Sequence, residues 1–210
     1  MQGPHFELLK AIDVLLITNQ KAIIAIDGPC CGGKSTLARW LSRNLNEENN
    51  VIHLDHFFLR PHQRSDARLA TPGENVDHER FIKEVLNPLK QGIEFEYRPF
   101  DCQTGEFEDP IKIPRARINI IEGAYSCHPR FSLYYNYGVF VDIDPLTQIQ
   151  RIKERNGAGA IMFFEKWIPL EEAYFRRFDP RKKADFVLYM NYSCQSQTKL
   201  FNEEASNALF

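Results

Sequence analysis

The chain has few of the features that mark secreted or zinc-binding proteins. It has 210 residues and only five cysteines, and no pair of cysteines shows the spacing of zinc ligands. An odd number of cysteines argues against a disulfide framework and favours free thiols in a reducing compartment. We therefore expect a cytoplasmic protein.

The sequence also lacks long hydrophobic runs and any excess of charge of one sign. The apolar stretch at residues 8–18 is interrupted by Lys10 and Asp13, so it is too short and too charged to cross a bilayer or to act as a signal peptide. A formal net charge of -2 provides no basic surface for general nucleic-acid binding. We expect neither membrane nor nucleic-acid partners, so any anion site must be built locally.

What is present is typical of one globular α/β domain. The hydrophobic fraction is 43% and the charged fraction is 26%. Short apolar runs alternate with helical patterns, which predicts a three-layer α/β sandwich with a five-stranded parallel sheet and helices on both faces. The predicted strands are residues 22–26, 51–54, 118–121, 138–143 and 186–190. The predicted helices between most of them are residues 35–45, 77–90, 145–155 and 161–178.

The predicted domain covers residues 1–190. It begins with an amphipathic helix at 5–18, and a polar tail follows it at 191–210. The segment 59–114 is an insertion rich in proline, arginine and aromatic residues, and 151–165 is a short lid. Because the insertion follows the second strand, it should project from the carboxyl edge of the sheet, where ligands of open α/β folds bind. We expect it to bind the acceptor substrate.

Residues 28–35 match the G-x-x-x-x-G-K-[ST] pattern of a phosphate-binding loop, between a predicted strand and a predicted helix. This motif predicts that the three-layer sandwich is of the P-loop NTPase type. Glycines let backbone N–H groups turn towards an anion, and the helix N-terminus adds its positive dipole. Lys34 would reach the terminal phosphates and the Ser35 hydroxyl would ligate Mg²⁺. Thr36 is one position late for the metal and is expected on the helix surface. The predicted ATP-binding residues are Gly28, Pro29, Cys30, Cys31, Gly32, Gly33, Lys34, Ser35 and Thr36.

Two adjacent cysteines, Cys30 and Cys31, lie inside this loop. We interpret them as compact fillers at positions that require small residues. A redox role is the alternative, because thiols near a positive helix end can have a lowered pKa.

Acidic residues lie at the ends of three predicted strands: Asp55, Glu122 and Asp142. All three should lie at the edge of the sheet that carries the phosphate loop. A kinase needs carboxylates there to hold Mg²⁺ and to take a proton from the acceptor hydroxyl. We interpret Asp55 and Glu122 as functional and Asp142 as structural. Asp27 should stiffen the loop, and His53 is interpreted as a packed core histidine.

Several segments, in order, resemble the uridine kinase and phosphoribulokinase branch of the P-loop kinases. The resemblance covers about residues 22 to 190, and the phosphate loop is its most specific part. The other matching segments are His53-Leu54-Asp55-His56-Phe57-Phe58, Asn75-Val76-Asp77, Tyr97-Arg98-Pro99-Phe100-Asp101, Ile121-Glu122-Gly123, Arg151-Ile152 with Arg155, and Lys183-Ala184-Asp185-Phe186-Val187.

The resemblance implies catalytic roles for matched residues. Asp55 would receive the proton of the acceptor hydroxyl, and Glu122 would hold Mg²⁺ together with Ser35. Arg151 and Arg155 would close over the transferred phosphoryl group and spread its charge.

The resemblance also implies a nucleoside substrate, with Asp77 on the sugar hydroxyls. Tyr97 and Phe100 could stack on a base, with packing of the core as an equal alternative. Phe58 and Phe100 replace tyrosines of the family. Residues 102–105 replace the family's base-reading histidine, so the resemblance is weakest at the base.

Together these features predict transfer of a phosphoryl group from Mg²⁺-ATP to the 5′-hydroxyl of a nucleoside similar to uridine or cytidine, by an enzyme that could form a homo-oligomer. One alternative is another small acceptor, such as a nucleoside monophosphate, pantothenate or a sugar phosphate. Arginines of the insertion could bind such an anion: Arg60, Arg64, Arg68 and Arg98. The second alternative is a nucleotide-binding switch or assembly module, against which the aromatic insertion argues.

Overall fold

The computed structural model describes residues 3–190, and the predicted tail at 191–210 lies outside them. The strands, in chain order, are β1 (Ala22–Asp27), β2 (Asn49–His53), β3 (Phe95–Tyr97), β4 (Ile111–Ile113), β5 (Ile118–Glu122), β6 (Tyr137–Asp142) and β7 (Phe186–Tyr189). Within the described residues, five of them form a parallel sheet in the order β2-β5-β1-β6-β7. The predicted five-stranded parallel sheet is confirmed. β3 and β4 pair antiparallel as a separate hairpin.

Helices connect the strands. In chain order they are α1 (Pro4–Thr18), α2 (Lys34–Asn44), α3 (Asp66–Ala70), α4 (His78–Phe81), α5 (Asn87–Gln91), α6 (Pro145–Asn156), α7 (Ala160–Met162), α8 (Ile168–Phe178) and α9 (Pro180–Lys183). π-Helical turns continue α4 into α5 and α7 into α8. Among residues 3–190, no helix combines the length and the apolar character needed to cross a membrane.

The sheet has a hydrophobic cluster on each face. Every residue of β1 is buried. Because alternate strand residues point to opposite faces, Ile24 and Ile26 pack in one cluster with α1 and α2, whereas Ile23 packs in the other with the insertion and α8. A strand that is buried on both faces has a continuous apolar sequence, and this pattern predicted β1.

The order of the strands brings three carboxyl ends together. β5 lies between β2 and β1, and its last residue, Glu122, is in register with Ile26 on one side and His53 on the other. The chain leaves β1 into the phosphate loop and leaves β2 into the turn that contains Asp55. The fold therefore places the two acidic residues predicted to be functional beside the phosphate loop.

Candidate active site

The loop between β1 and α2 has a backbone that only particular residues tolerate. Gly28 has φ +141°, and a Cβ there would lie 2.2 Å from the carbonyl oxygen of Val141. Gly33, which precedes α2, has φ +105°. Cys31 has φ +57°, a left-handed conformation that is unusual outside glycine. Strained residues of this kind are often found at ligand-binding sites. The loop thus has the sharp turns that a phosphate cradle requires.

Lys34 and Ser35, at the start of α2, bring a cation and a hydroxyl group to the loop. The Lys34 ammonium donates hydrogen bonds to the carbonyl oxygens of Gly28 at 2.8 Å and Pro29 at 2.9 Å, and the residue is buried. Ser35 Oγ donates to Glu122 Oε1 at 3.0 Å. Thr36 is exposed on α2, as expected.

Glu122 is the centre of a hydrogen-bonded group at the end of β5. His53 Nδ1 lies 2.5 Å from the same Glu122 Oε1 that accepts from Ser35. Burial raises the pKa of Glu122, but the hydrogen bond from His53 and the charges of His53 and Lys34 outweigh it and hold the pKa below its usual value. The reciprocal bond raises the pKa of His53. Glu122 is therefore an ionised carboxylate beside a hydroxyl, two oxygen donors that suit Mg²⁺.

The interpretation of His53 as a packed core histidine is wrong. Its side chain is 41% exposed, because β2 is the edge strand of the sheet. Its ring is hydrogen-bonded to Glu122 instead of packing in the core.

Asp55 lies in the turn Leu54–Phe57, directly after β2. Its carboxylate has no hydrogen-bond partner within residues 3–190. A Cβ on Gly123 would lie 2.9 Å from Asp55 Oδ1, so the carboxylate sits against the chain that leaves Glu122. The side chain is exposed by area, yet the surrounding protein removes solvation and raises the pKa of Asp55, although Lys34 opposes the rise. This environment favours a group that exchanges a proton.

Two arginines at the end of α6 reach the same region. Arg151 Nη1 lies 3.4 Å from the carbonyl oxygen of Cys31. The charge of Arg155 lowers the pKa of both Asp55 and Cys31, which places its guanidinium near these groups. Its guanidinium carbon is also 5.9 Å from the ring centroid of Phe163. Both arginines are thus near the loop, and closure of a lid at residues 151–165 stays a prediction.

Comparison with known proteins agrees with this geometry at the level of the fold. No protein-family model matches the sequence, and no curated protein does. The structure is similar to that of a possible uridine kinase from Bacillus stearothermophilus, with a TM-score of 0.68 and 20% identity over 88% of this chain and 97% of that one. It is also similar to D-glycerate 3-kinase from Cryptococcus neoformans, with a TM-score of 0.59 and 13% identity over 91% of this chain and 96% of that one.

The chain has the uridine kinase-like fold of the P-loop kinases.

In this fold, the side chains predicted to bind the substrate are largely buried. Tyr97 and Phe100 are 3% and 4% exposed, which favours the core-packing alternative for both rings. Phe58 is half-buried, and its backbone forms an isolated β-bridge with Val76. Stacking on a base by any of these rings is a prediction that the packing does not support.

Asp77, the predicted ligand of sugar hydroxyls, is 3% exposed and caps α4. Its carboxylate accepts hydrogen bonds from the backbone N–H of Arg80 at 3.1 Å and from Gln63 Nε2 at 2.7 Å, with Arg60 at 3.4 Å. Three donors already occupy this buried carboxylate, and sugar binding by Asp77 stays a prediction.

The environment of the two loop cysteines, Cys30 and Cys31, does not favour thiolates. Burial, with the nearby Glu171, raises the pKa of Cys30 to about 12, and burial also raises the pKa of Cys31. Both therefore remain protonated thiols near neutral pH, which favours their interpretation as fillers.

Glu171 is a residue of the site that the sequence analysis missed. It projects from α8 and is 5% exposed, and its Oε2 accepts a hydrogen bond from the backbone N–H of Cys30 at 2.9 Å. Burial raises the pKa of Glu171 to about 7, although Lys34 and the Cys30 bond oppose the rise. The sequence could have indicated the burial of Glu171, because this residue lies on the same face of α8 as Tyr174, and that face is otherwise apolar.

Replacing Glu171 with glutamine should make the free energy of unfolding depend less on pH. The folded state binds the Glu171 proton more tightly than the unfolded chain, whose ordinary pKa is 4.5. Stability from this group is therefore fully present below that value and is lost as the pH rises through about 7. The loss is at most about 3 kcal/mol. Urea unfolding between pH 4.5 and 8 measures it, with the exposed neighbour Glu172→Gln as control. Parallel pH profiles of the wild type and Glu171→Gln would contradict the expectation.

Asp27 ties the phosphate loop to the chain after β5, consistent with its expected stiffening role. It is fully buried. Its carboxylate accepts hydrogen bonds from the backbone N–H groups of Gly28 at 2.7 Å, Tyr125 at 3.1 Å and Cys127 at 2.9 Å. The fourth donor is the hydroxyl of Tyr174 at 2.7 Å. One side chain thus holds two functional segments and α8 together.

Replacing Asp27 with alanine should lower the free energy of unfolding by about 4 kcal/mol, because it leaves several buried donors without an acceptor. Tyr174→Phe removes only one of the four bonds and should cost about 2 kcal/mol. Denaturant unfolding of both variants measures the difference. A smaller loss for Asp27→Ala than for Tyr174→Phe would show that the carboxylate does not anchor these segments.

Proposed function

We propose that the protein is a kinase that transfers the terminal phosphoryl group of Mg²⁺-ATP to a hydroxyl group of a small acceptor. The observation that carries the proposal is the convergence of a phosphate loop, the Ser35–Glu122 oxygen pair and the unpartnered Asp55 carboxylate at one edge of the sheet.

The residues at this edge fit ATP and Mg²⁺. The loop turns at Gly28 and Gly33 free its backbone to surround an anion, and Lys34 adds a buried positive charge. Ser35 Oγ and the ionised Glu122 would hold the metal. When bound, Mg²⁺ neutralises charge on the outer phosphates and orients them for transfer.

The roles of the chain's own groups follow from their positions. Asp55 would orient the acceptor hydroxyl and accept its proton, because its carboxylate has no competing partner within the described residues. Lys34, Arg151 and Arg155 would stabilise the charge that spreads over the transferred group.

The acceptor predicted from the sequence is a nucleoside, phosphorylated at its 5′-hydroxyl. Its support is the ordered resemblance around Asp55, Asp77 and Glu122, and the structural similarity to a possible uridine kinase. A cytoplasmic location is supported by the free thiols among residues 3–190: Cys30, Cys31, Cys102 and Cys127.

Release of ADP from Mg²⁺-ATP tests the proposed function. We expect release to depend on an added hydroxyl acceptor and on Mg²⁺, and the panel should include nucleosides, nucleoside monophosphates, pantothenate and sugar phosphates. ADP release that does not change with any acceptor would favour the switch or assembly module instead.

A further inference from the structure

The structure separates the arginines of the insertion by their partners. Arg68 pairs with Glu79 at 2.8 Å, and Arg60 approaches Asp77 at 3.4 Å. Arg98 and Arg64 have no carboxylate within 4.0 Å among the described residues, and Arg98 is exposed whereas Arg64 is half-buried. The bonds of Arg64 go to the carbonyl oxygen of Leu59 at 2.8 Å and to the thiol of Cys102 at 3.7 Å, both electrically neutral groups.

Arg64 also connects two chain segments near Asp55, the proposed catalytic base. Leu59, whose carbonyl holds its Nε, is four residues after Asp55. The segment that carries Cys102 is tied to the same turn, because the backbone N–H of Phe100 donates to the carbonyl oxygen of His56 at 3.1 Å. Although Cys102 is exposed, desolvation by the surrounding protein raises the pKa of its thiol, which the charge of Arg64 lowers and the charge of Asp55 raises.

A half-buried guanidinium bonded only to neutral groups is well suited to bind an anion. Its charge is partly removed from water, so a bound carboxylate or phosphate would recover electrostatic energy there. The bond from Nε to Leu59 holds the planar group in one orientation, which lowers the entropy lost when a ligand binds. Cys102 begins the segment that, by resemblance, replaces a base-reading histidine.

We propose that the acceptor carries a carboxylate or phosphate group, which Arg64 binds while the acceptor hydroxyl lies at Asp55. The inference rests on the proposed function, because it assigns the substrate class of the same site. It replaces the neutral nucleoside by a small hydroxy acid or sugar phosphate. Such an acceptor carries both groups that the proposal requires, an anion for the Arg64 guanidinium and a hydroxyl for the Asp55 carboxylate.

The test compares acceptors that differ only in the anionic group. The pairs are glycerate and glycerol, ribose 5-phosphate and ribose, and pantothenate and panthenol, with uridine and cytidine as neutral nucleosides. ADP release is measured for the wild type, Arg64→Gln and Arg64→Lys. Arg115→Gln is the control, because Arg115 is an exposed arginine just after the insertion and has no part in the proposed site. Binding of the anionic acceptors is measured separately by calorimetry with a non-hydrolysable ATP analogue.

We expect at least one anionic acceptor to be used better than its neutral partner. Arg64→Gln should raise its KM by roughly 10- to 100-fold, the effect of losing a charged hydrogen bond. Arg64→Lys should recover part of the loss, and Arg115→Gln should leave the preference unchanged. Efficient use of uridine or cytidine with no effect of Arg64→Gln would overturn the inference and leave the kinase proposal standing. Anion binding that is lost in Arg64→Gln, without ADP release for any acceptor, would retain the anion site and overturn the proposed function.

Discussion

Replacing Asp55 with asparagine is expected to lower kcat by about 10²- to 10⁴-fold, the usual contribution of a general base. The amide keeps the shape of the side chain but cannot accept the hydroxyl proton. Because the carboxylate makes no hydrogen bond within residues 3–190, the substitution should leave the fold and ATP binding intact. Steady-state ADP release, together with the affinity for an ATP analogue, separates loss of chemistry from loss of binding.

The control for this variant is Asp109→Asn, an exposed carboxylate elsewhere in the insertion, which should retain wild-type kcat. The pH dependence gives a second check. Desolvation by the surrounding protein raises the pKa of Asp55, so the wild-type rate should fall as the pH drops through a value above the ordinary pKa of an aspartate. If Asp55→Asn turns over at near the wild-type rate, Asp55 is not the base.

Replacing Lys34 with alanine is expected to lower turnover by at least about 100-fold, as for other groups that stabilise transition-state charge. The side chain donates hydrogen bonds only to carbonyl oxygens of its own loop, but its charge also favours the ionised forms of Glu122 and Glu171, so the free energy of unfolding should fall as well. The variant should also raise the pKa of Asp55 further, because Lys34 normally lowers it. ADP release measures the loss of turnover, its pH dependence measures the rise of the Asp55 pKa, and thermal unfolding measures the change in stability.

Lys112→Ala is the matched control, because Lys112 is exposed on β4, away from the phosphate loop. It should leave turnover unchanged. Full activity of Lys34→Ala would remove the assignment of residues 28–35 as the phosphate site and, with it, the kinase proposal.

The features that could be predicted from the sequence depend on neighbours along the chain. The apolar run of β1 and the helical pattern after Gly33 each reflect a period of a few residues, so the P-loop kinase fold could be inferred before any contact was known. The phosphate loop is also local, because its glycines and its lysine lie within one turn. Asp55 and Glu122 could be placed at one edge because strand ends of a parallel sheet coincide.

The features that could not be predicted depend on residues far apart. Glu171 contacts the backbone of Cys30, 141 positions earlier. No local pattern indicates such a contact, and a glutamate in an amphipathic helix ordinarily faces water. The burial of Tyr97 and Phe100 likewise depends on how the insertion packs on the sheet. Their aromatic character alone is equally compatible with a binding surface and with a core.

By itself, the amino-acid sequence determined the order of strands and helices, the position of the phosphate loop and the acidic residues that follow it, because each is written in short-range spacing. Only the tertiary structure decided which polar groups already have partners. It paired Asp77 with Gln63, left the Asp55 carboxylate without a hydrogen bond and left Arg64 without an ion pair among the described residues. The physical reason is that a charge is available to a ligand only when no other part of the folded chain neutralises it, and that depends on distances across the whole domain.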